Sequence, residues 1–473
     1  MSKRPNILFF LTDDHGAWTL SEYGNKALKT PCFSQLSSNG TLFRNAFTPC
    51  PVCSPARACV MTGQTPSQVG IHDWLQEWDE EIDSRDWLSG CLTLPELLRS
   101  RGYYTILSGK WHLGRSHFTP RGFDRCFGLP GGQGDHNSLY TYHQDGVKVT
   151  LDGNKSENIT SRAIDMLEDV PDDLPFFLNV GYIATHSPYE ASAHDPELVC
   201  MSQELSLGDI PKYIPHPWVK NEGGISCSSN DLTTYYQGYY AAVLELDRNI
   251  QRVLSYLKKS GKLENTIVIY TSDHGCAMGH NGFFGKGNST RPLNMYDSSI
   301  RVPLIISGPG VMKSHEVDAH VDHYDLFEAI CEWGGVSSTP CVGQSLAALA
   351  EGKESLDWPE VVYGEYGDLR MMRTPNYKFI NRYGRGPNEL FNLKNDPEER
   401  CNLSGRSEFE SLENAMILNL NSWYSDHEKS NASGLNVSSL PIHNRKDEAW
   451  RDGLREKTAG YNLGSSSLSD LMA

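Results

Sequence analysis

The sequence lacks any long hydrophobic run. In its 473 residues, no stretch approaches the roughly 18 consecutive apolar residues that a membrane-spanning helix needs. The first apolar segment, residues 6–11, is also too short for a signal peptide and is followed at once by Thr12, Asp13 and Asp14. We therefore expect no membrane partner and a cytoplasmic location, and we interpret the segment as a buried strand.

Positive charge is scarce as well. The chain has 42 lysines and arginines against 59 aspartates and glutamates, which gives a net charge of −17. Because proteins that bind nucleic acid need a basic face for the phosphates, this balance excludes nucleic acid as an expected partner. An anionic substrate would have to be attracted by a local cluster of cations.

Paired metal-binding motifs are missing too. Cys50 and Cys53 form one C-x-x-C, but no second C-x-x-C and no histidine pair at zinc-finger spacing completes a zinc site. At this point the pair could still be redox-active, or Cys53 could be a small buried apolar residue. Without a leader sequence, we expect the twelve scattered cysteines to be mostly reduced thiols.

The segment Cys53-Ser54-Pro55-Ala56-Arg57 combines a cysteine with a proline and an arginine at fixed offsets. Proline stiffens the start of a helix, which we expect over residues 56–63. Backbone N–H groups at a helix start favour negative charge, and an arginine adds a permanent cation with several donors. The segment therefore predicts an anion-binding position beside Cys53.

Two strongly apolar segments, residues 6–11 and 266–270, each lead into polar residues. Asp13-Asp14 follow the first, and Asp273-His274 follow the second. Open α/β sheets bind ligands at the carboxyl ends of such strands. Since two adjacent carboxylates repel each other without a cation, Asp13 and Asp14 favour a metal site, with a polar loop as the alternative.

Three further strand-like or glycine-rich segments carry basic residues. Lys110 and His112 follow residues 103–107, His186 follows residues 176–182, and Lys286 lies between two glycines. In an extended segment Lys110 and His112 would point to the same side.

Two segments show no regular pattern. Residues 128–143 are rich in Gly, Asp, Asn and Tyr and predict an irregular loop. Residues 190–230 predict an insertion near the pocket.

The character of the chain changes near Trp358. Short alternating segments at 361–365, 370–374 and 377–381, followed by Glu389-Leu390-Phe391-Asn392-Leu393, predict a small antiparallel sheet. A helix is expected over 409–423, and a polar tail follows residue 429. We therefore predict an N-terminal domain over residues 1–357 and a C-terminal subdomain over 358–473.

Taken together, these motifs resemble the sulfatase family, and they occur in that family's order over most of residues 5–425. C-x-P-x-R is the modification signature of the family, and residues 389–398 resemble its C-terminal signature. The resemblance implies an α/β fold: an alkaline-phosphatase-like sandwich with a mostly parallel central sheet and a smaller C-terminal α/β subdomain with an antiparallel sheet. The motifs that carry it are Asp13-Asp14, Cys53-x-Pro55-x-Arg57, Gly109-Lys110-x-His112, His186-Ser187-Pro188, Asp273-His274-Gly275 and Lys286.

The resemblance also implies the chemistry. Cys53 would be oxidised to formylglycine by a formylglycine-generating or an anaerobic sulfatase-maturating enzyme, and the hydrated aldehyde would attack sulfur. The hydrate has two hydroxyls: one would attack, and the second would then release the sulfate. An unmodified thiol has no such second group. The implied metal ligands are Asp13, Asp14, Asp273, His274 and an oxygen of modified Cys53, which suit Ca²⁺, with Mg²⁺ or Mn²⁺ as alternatives.

The expected activity is hydrolysis of a sulfuric ester, with release of inorganic sulfate from a small sulfated substrate, preferably a carbohydrate. An aryl sulfate, a phosphonate monoester or phosphodiester, or a binding role with unmodified Cys53 are the alternatives. The implied catalytic residues are Cys53, Arg57, Lys110, His112, His186 and Lys286. Residues expected around the outer pocket, with structural roles as the alternative, are His72, Asp73, Trp74, Asp135, His136, Arg291 and Arg373.

Overall fold

The structure is a computed structural model of the whole chain. It describes residues 4–131, 134–206, 210, 213–220, 232–337, 341–353, 357–446 and 450. Residues 221–230 of the predicted insertion and the tail from residue 451 lie outside this part.

Within the described residues, eleven strands form one large sheet with the order β11-β2-β12-β8-β1-β7-β3-β4-β5-β6, and β13 pairs with β2. The five central strands β8, β1, β7, β3 and β4 are parallel to one another. A separate four-stranded antiparallel sheet follows in the order β14-β15-β16-β17. The predicted fold class is therefore confirmed. The strands are β1 Asn6–Thr12, β2 Gly40–Phe47, β3 Tyr104–Gly109, β4 Arg125–Gly128, β5 Tyr140–Gln144, β6 Val147–Leu151, β7 Phe176–Gly181, β8 Thr266–Ser272, β9 Ala277–Met278, β10 Phe284–Gly285, β11 Arg301–Val302, β12 Leu304–Ser307, β13 His315–Asp322, β14 Val362–Tyr366, β15 Leu369–Arg373, β16 Tyr377–Asn381 and β17 Glu389–Asn392.

Helices cover both faces of the large sheet. Alternate residues of β1 therefore enter two different cores: Leu8 and Phe10 pack with α1, α6 and α8, whereas Phe9 packs with α2, α5 and α10. This explains why β1 is apolar at every position from Ile7 to Leu11. The helices are α1 Pro31–Ser38, α2 Cys53–Thr62, α3 Pro66–Val69, α4 Glu80–Ser84, α5 Leu94–Ser100, α6 Lys155–Glu168, α7 Pro196–Gln203, α8 Thr233–Lys259, α9 Asp297–Ile300, α10 His323–Gly334, α11 Ala347–Ala350 and α12 Glu410–Asp426.

The small sheet packs between α12 and the loop that precedes Cys53. Met372 of β15 packs on α12, and its neighbour Met371 packs in a core that also contains Cys50 and Val52. Strand β14 lies so close to this loop that a Cβ on Gly364 would stand 2.6 Å from the Pro49 carbonyl oxygen. The small sheet therefore supports the cysteine loop from behind.

One strand was not predicted, and one predicted loop contains a strand. Strand β2 escaped prediction because Arg44 and Asn45 interrupt its apolar pattern; Arg44 pairs with Glu316. Residues 140–143, predicted as loop, belong to β5, which forms a hairpin with β6. The connecting Asp145-Gly146 has positive φ at both residues, a favoured two-residue hairpin turn.

None of the helices among the described residues is long and apolar enough to cross a membrane.

A buried group of charges joins the small sheet to the segment that follows Lys286. The Lys378 ammonium lies 2.5 Å from both an Asp297 oxygen and a Glu399 oxygen, and it donates to the Met295 carbonyl at 3.0 Å. Its side chain is fully buried. Without the ammonium, the buried Glu399 carboxylate would lose its cation, whereas Asp297 would keep its ion pair with Arg373.

We expect Lys378→Met to lower the free energy of unfolding by about 3–5 kcal/mol, because it strands buried charge. Denaturant titration followed by tryptophan fluorescence measures the change. Lys353→Met is the matched control, since Lys353 is exposed and pairs with Glu351 at the surface. Equal midpoints for the two variants would contradict the prediction.

Candidate active site

The carboxyl ends of neighbouring parallel strands bring the acidic motifs together. Thr12 at the end of β1 is in register with Ser272 at the end of β8, and the Asp273 N–H donates to the Thr12 carbonyl at 3.0 Å. On the other side of β1, the Thr185 N–H donates to the Asp13 carbonyl at 2.8 Å. The order of the strands therefore places Asp13-Asp14 between the Asp273 and His186 segments.

Cys53 is the first residue of α2, which begins three residues earlier than predicted. Its Sγ lies 3.3 Å from Asp13 Oδ1, 3.4 Å from His274 Nε2 and 3.0 Å from Lys286 Nζ. The thiol is buried. These contacts exclude the interpretation of Cys53 as a residue that serves only apolar packing, because all three of its neighbours are polar.

Four side chains converge on one point. Ligand atoms of Asp13, Asp14, Cys53 and His274 all lie within 4.8 Å of one another, and all four residues are buried. Asp273 borders the group: its Oδ1 lies 3.5 Å from His274 Nε2. The oxygen-rich donor set fits a hard divalent cation.

The His274 ring is oriented for such a role. Its Nδ1 lies 2.9 Å from the Gly275 carbonyl oxygen, so Nδ1 carries the hydrogen and Nε2 faces the cluster. Burial alone would lower the pKa of His274, but the carboxylates of Asp273 and Asp14 raise it to about 9. The carboxylates therefore outweigh both burial and the nearby Lys286 in their effect on the pKa of this ring.

Three cations balance the carboxylates. Lys110 Nζ contacts Asp13 Oδ2, Lys286 Nζ donates to Asp14 Oδ1 at 2.7 Å, and Arg57 Nε donates to Asp273 Oδ2 at 2.9 Å. Burial would raise the pKa of Asp13, but Lys110 and the other nearby cations hold it well below its usual range. Asp14 shows the same opposition, with Lys286 the largest lowering influence on its pKa.

Arg57 also connects two motifs. Its Nη1 donates to the Lys110 carbonyl at 3.0 Å, and Nη2 has no hydrogen-bond partner among the described residues. One guanidinium thus fixes Asp273 and the Lys110 loop while keeping one buried donor available.

Of the two predicted catalytic histidines, His112 is buried and His186 is partly buried, and the pKa of each is lowered. His112 Nε2 donates to the Leu75 carbonyl at 2.8 Å, which leaves Nδ1 as an acceptor. Burial together with Lys110 and Arg57 lowers the pKa of His112 well below its usual value. Burial and then Lys286 lower the pKa of His186 to about 4, and its Nδ1 lies 2.8 Å from the Ser187 carbonyl oxygen.

Several residues expected at the outer pocket instead hold the fold together. His72 is buried with Nε2 on the Ala432 carbonyl at 2.7 Å, Asp73 accepts from the Tyr366 hydroxyl at 2.7 Å, and Arg373 pairs with Asp297. His136 donates through Nε2 to the His186 carbonyl at 2.9 Å, so it supports that residue from behind.

The other three outer-pocket residues have different surroundings. Asp135 is exposed, and Arg291 Nη1 donates to the carbonyls of Asn288 and Thr290 at 3.1 and 2.9 Å. Trp74 is half-buried, and its ring lies 5.6 Å from that of Trp78, which is 51% exposed. The sequence analysis missed Trp78 because no motif distinguishes it from a core tryptophan.

Comparison with known proteins identifies the class. The sulfatase family profile matches residues 5–336, and the C-terminal profile of N-sulphoglucosamine sulphohydrolase matches residues 279–426. The chain therefore belongs to the sulfatase family, and it is a hydrolase of sulfate esters.

Individual relatives are similar over nearly the whole chain. An N-acetylglucosamine-6-O-sulfatase from Bacteroides thetaiotaomicron is 27% identical, with 86% of this chain and 84% of the relative covered. An ulvan-active sulfatase from Formosa agariphila is 30% identical, covering 88% and 80%. A solved complex of a protein with its substrate D-glucosamine-2-N,6-O-disulfate has 25% identity and a TM-score of 0.76, and covers 90% of this chain and all of that one.

We expect Arg57→Lys to lower kcat/KM for nitrophenyl sulfate by roughly 10²–10³-fold. A lysine ammonium cannot bridge the Asp273 carboxylate and the Lys110 carbonyl in the way the planar guanidinium does. Arg44→Lys is the matched control, because it makes the same substitution in a surface ion pair with Glu316. Unchanged kinetics in Arg57→Lys would show that the guanidinium geometry is not needed.

Proposed function

We propose that this sulfatase releases inorganic sulfate from a sulfated carbohydrate, using a formylglycine made from Cys53 and a divalent cation, preferably Ca²⁺. The observation that carries the proposal is the position of Cys53, whose Sγ lies within hydrogen-bond distance of Asp13, His274 and Lys286. An oxygen on the oxidised side chain would occupy the same surroundings.

The metal site is part of the proposal. Asp13, Asp14, Asp273 and His274 would hold the cation, which supplies Lewis-acid polarisation and lowers the pKa of a hydroxyl at residue 53. The four side chains already face the Cys53 thiol or each other at 3.1–3.5 Å. Mg²⁺ and Mn²⁺ are the alternatives that this donor set also accepts.

The cations would then bind the sulfate and assist the leaving group. Burial would lower the pKa of Lys286, but Asp14 and Cys53 raise it well above its usual value, so Nζ is a protonated donor beside residue 53. We assign Lys286 to protonate the leaving oxygen, with His186 as a sulfate ligand. Arg57 and Lys110 complete the positive surface.

His112 has the properties of a base. Because Nε2–H is committed to the Leu75 carbonyl, the lone pair of Nδ1 is available to accept a proton. The lowered pKa keeps the ring neutral at physiological pH. We assign His112 to accept the proton when sulfate is released and the aldehyde is restored.

A carbohydrate substrate is supported by the relatives and by two tryptophans near the candidate active site. The names of both relatives, and the ligand in the solved complex, point to sulfated sugars. In this chain the Trp74–Trp78 pair lies next to Leu75, whose N–H donates to Ser54 Oγ at 3.0 Å and whose carbonyl binds His112. The exposed ring of Trp78 and the half-buried ring of Trp74 would suit the apolar face of a sugar ring.

Further parts of the proposal concern the protein's surroundings. We propose that a formylglycine-generating or anaerobic sulfatase-maturating enzyme modifies Cys53, and that the chain divides functionally at residues 357 and 358. A cytoplasmic location and the lack of nucleic-acid or membrane partners remain predictions.

We expect Cys53→Ala to abolish turnover of nitrophenyl sulfate without unfolding the protein, because alanine cannot be oxidised to an aldehyde. Cys59→Ala is a matched control: it removes a buried thiol from the same helix, where Sγ contacts the Tyr324 hydroxyl instead. Steady-state kinetics and circular dichroism of both variants measure the outcome. Activity retained in Cys53→Ala would contradict the proposed nucleophile.

The substrate class is tested by comparing kcat/KM for 6-O-sulfated N-acetylglucosamine, other sulfated monosaccharides, an aryl sulfate and an aryl phosphonate ester. We expect at least one sulfated sugar to exceed the aryl sulfate. A clear preference for the aryl sulfate would limit the proposal to sulfate esters in general. A preference for the phosphonate would contradict it.

A further inference from the structure

Asp14 has an unusual backbone. Its φ is +59°, a left-handed conformation that residues other than glycine rarely adopt. This conformation turns its carboxylate toward Lys286 and the His274 ring, at 2.7 and 3.1 Å. The orientation of a proposed metal ligand therefore depends on contacts that hold this strained residue in place.

Two hydroxyl groups provide those contacts. The Tyr239 hydroxyl donates to the Asp14 carbonyl oxygen at 2.6 Å, and Thr185 Oγ1 donates to the same oxygen at 2.7 Å. The Tyr239 oxygen also accepts from the Gly16 N–H at 3.0 Å. One hydroxyl thus spans the turn from Asp14 to Gly16 with a bond at each end.

Tyr239 is itself held firmly. It lies on α8 with its ring stacked on Trp18 at 5.7 Å and in edge contact with Tyr189 at 5.8 Å, and it is 1% exposed. The preceding Gly238 lets the helix approach closely, since a Cβ there would stand 2.0 Å from the Tyr189 carbonyl oxygen. The hydroxyl has little freedom to move away from the turn.

We propose that Tyr239, together with Thr185, is a positioning residue that holds Asp14 in the geometry for binding the divalent cation. The inference rests on the proposed metal centre. Tyr239 does not contact the cluster's ligand atoms; it acts through the Asp14 main chain. Outer groups that orient metal ligands typically contribute a factor of about 10–100 in metal affinity.

Tyr239→Phe tests the proposal because it removes the hydroxyl and keeps the ring. The matched control is Tyr240→Phe: Tyr240 is the next residue of the same helix and equally buried, but its hydroxyl accepts from Asn25 Nδ2 at 3.1 Å. Each protein is stripped with EDTA, titrated calorimetrically with CaCl₂, and matched for Cys53 modification by peptide mass spectrometry.

We expect Tyr239→Phe to raise the Kd for Ca²⁺ about 10–100-fold, with wild-type affinity in Tyr240→Phe. A merely structural tyrosine would lower the melting temperature of the metal-free protein and leave the Kd unchanged, and that result overturns the proposal. If the wild-type enzyme binds none of Ca²⁺, Mg²⁺ and Mn²⁺, the proposed metal centre fails together with this inference.

A second pair of variants tests the proposal even if the Tyr239→Phe protein does not fold. Thr185→Val removes the other hydroxyl on the Asp14 carbonyl, and Thr185→Ser restores it. Weaker Ca²⁺ binding in the valine variant, with recovery in the serine variant, supports the role of the two hydroxyls. Equal affinity in both variants overturns it.

Discussion

The site depends on the balance of buried charge around three aspartates. Burial disfavours ionised carboxylates, and Asp13 also raises the pKa of Asp273. Arg57, Lys110 and Lys286 offset this cost, and each contacts a different aspartate. The same groups that make the acidic cluster stable thus surround Cys53 with cations. Stability of the folded site and affinity for an anionic ester arise from one arrangement.

The rest of the fold serves to bring these charges together. Because β1, β7 and β8 are parallel, their carboxyl ends lie at one edge of the sheet, where the polar residues meet. Helix α2 brings Cys53 and Arg57 to that edge, and the small C-terminal sheet packs behind the preceding loop through Cys50 and Val52. The two sheets are therefore coupled through the segment that carries the cysteine.

The sequence predicted that Asp13 and Asp273 lie near each other, because apolar strands followed by charged residues leave a clear pattern, and the family resemblance added Cys53. In the structure, Asp273 contacts the Asp14 N–H and Cys53 contacts Asp13. Interactions between distant segments left no such pattern. His72 and Asp73 resembled pocket residues in sequence, yet they bond to Ala432 and Tyr366, some three hundred residues away or more. Tyr239 belongs to none of the sequence motifs, and its bond to Asp14 follows only from the packing of α8.

The most direct test of the account is a high-resolution crystal structure of the active enzyme grown with CaCl₂. We predict an aldehyde or its hydrate at residue 53, and a calcium ion within about 2.3–2.6 Å of oxygens from Asp13, Asp14, Asp273 and residue 53. An unmodified thiol at residue 53 in a fully active crystal, or a calcium ion bound away from these carboxylates, would contradict the central claim.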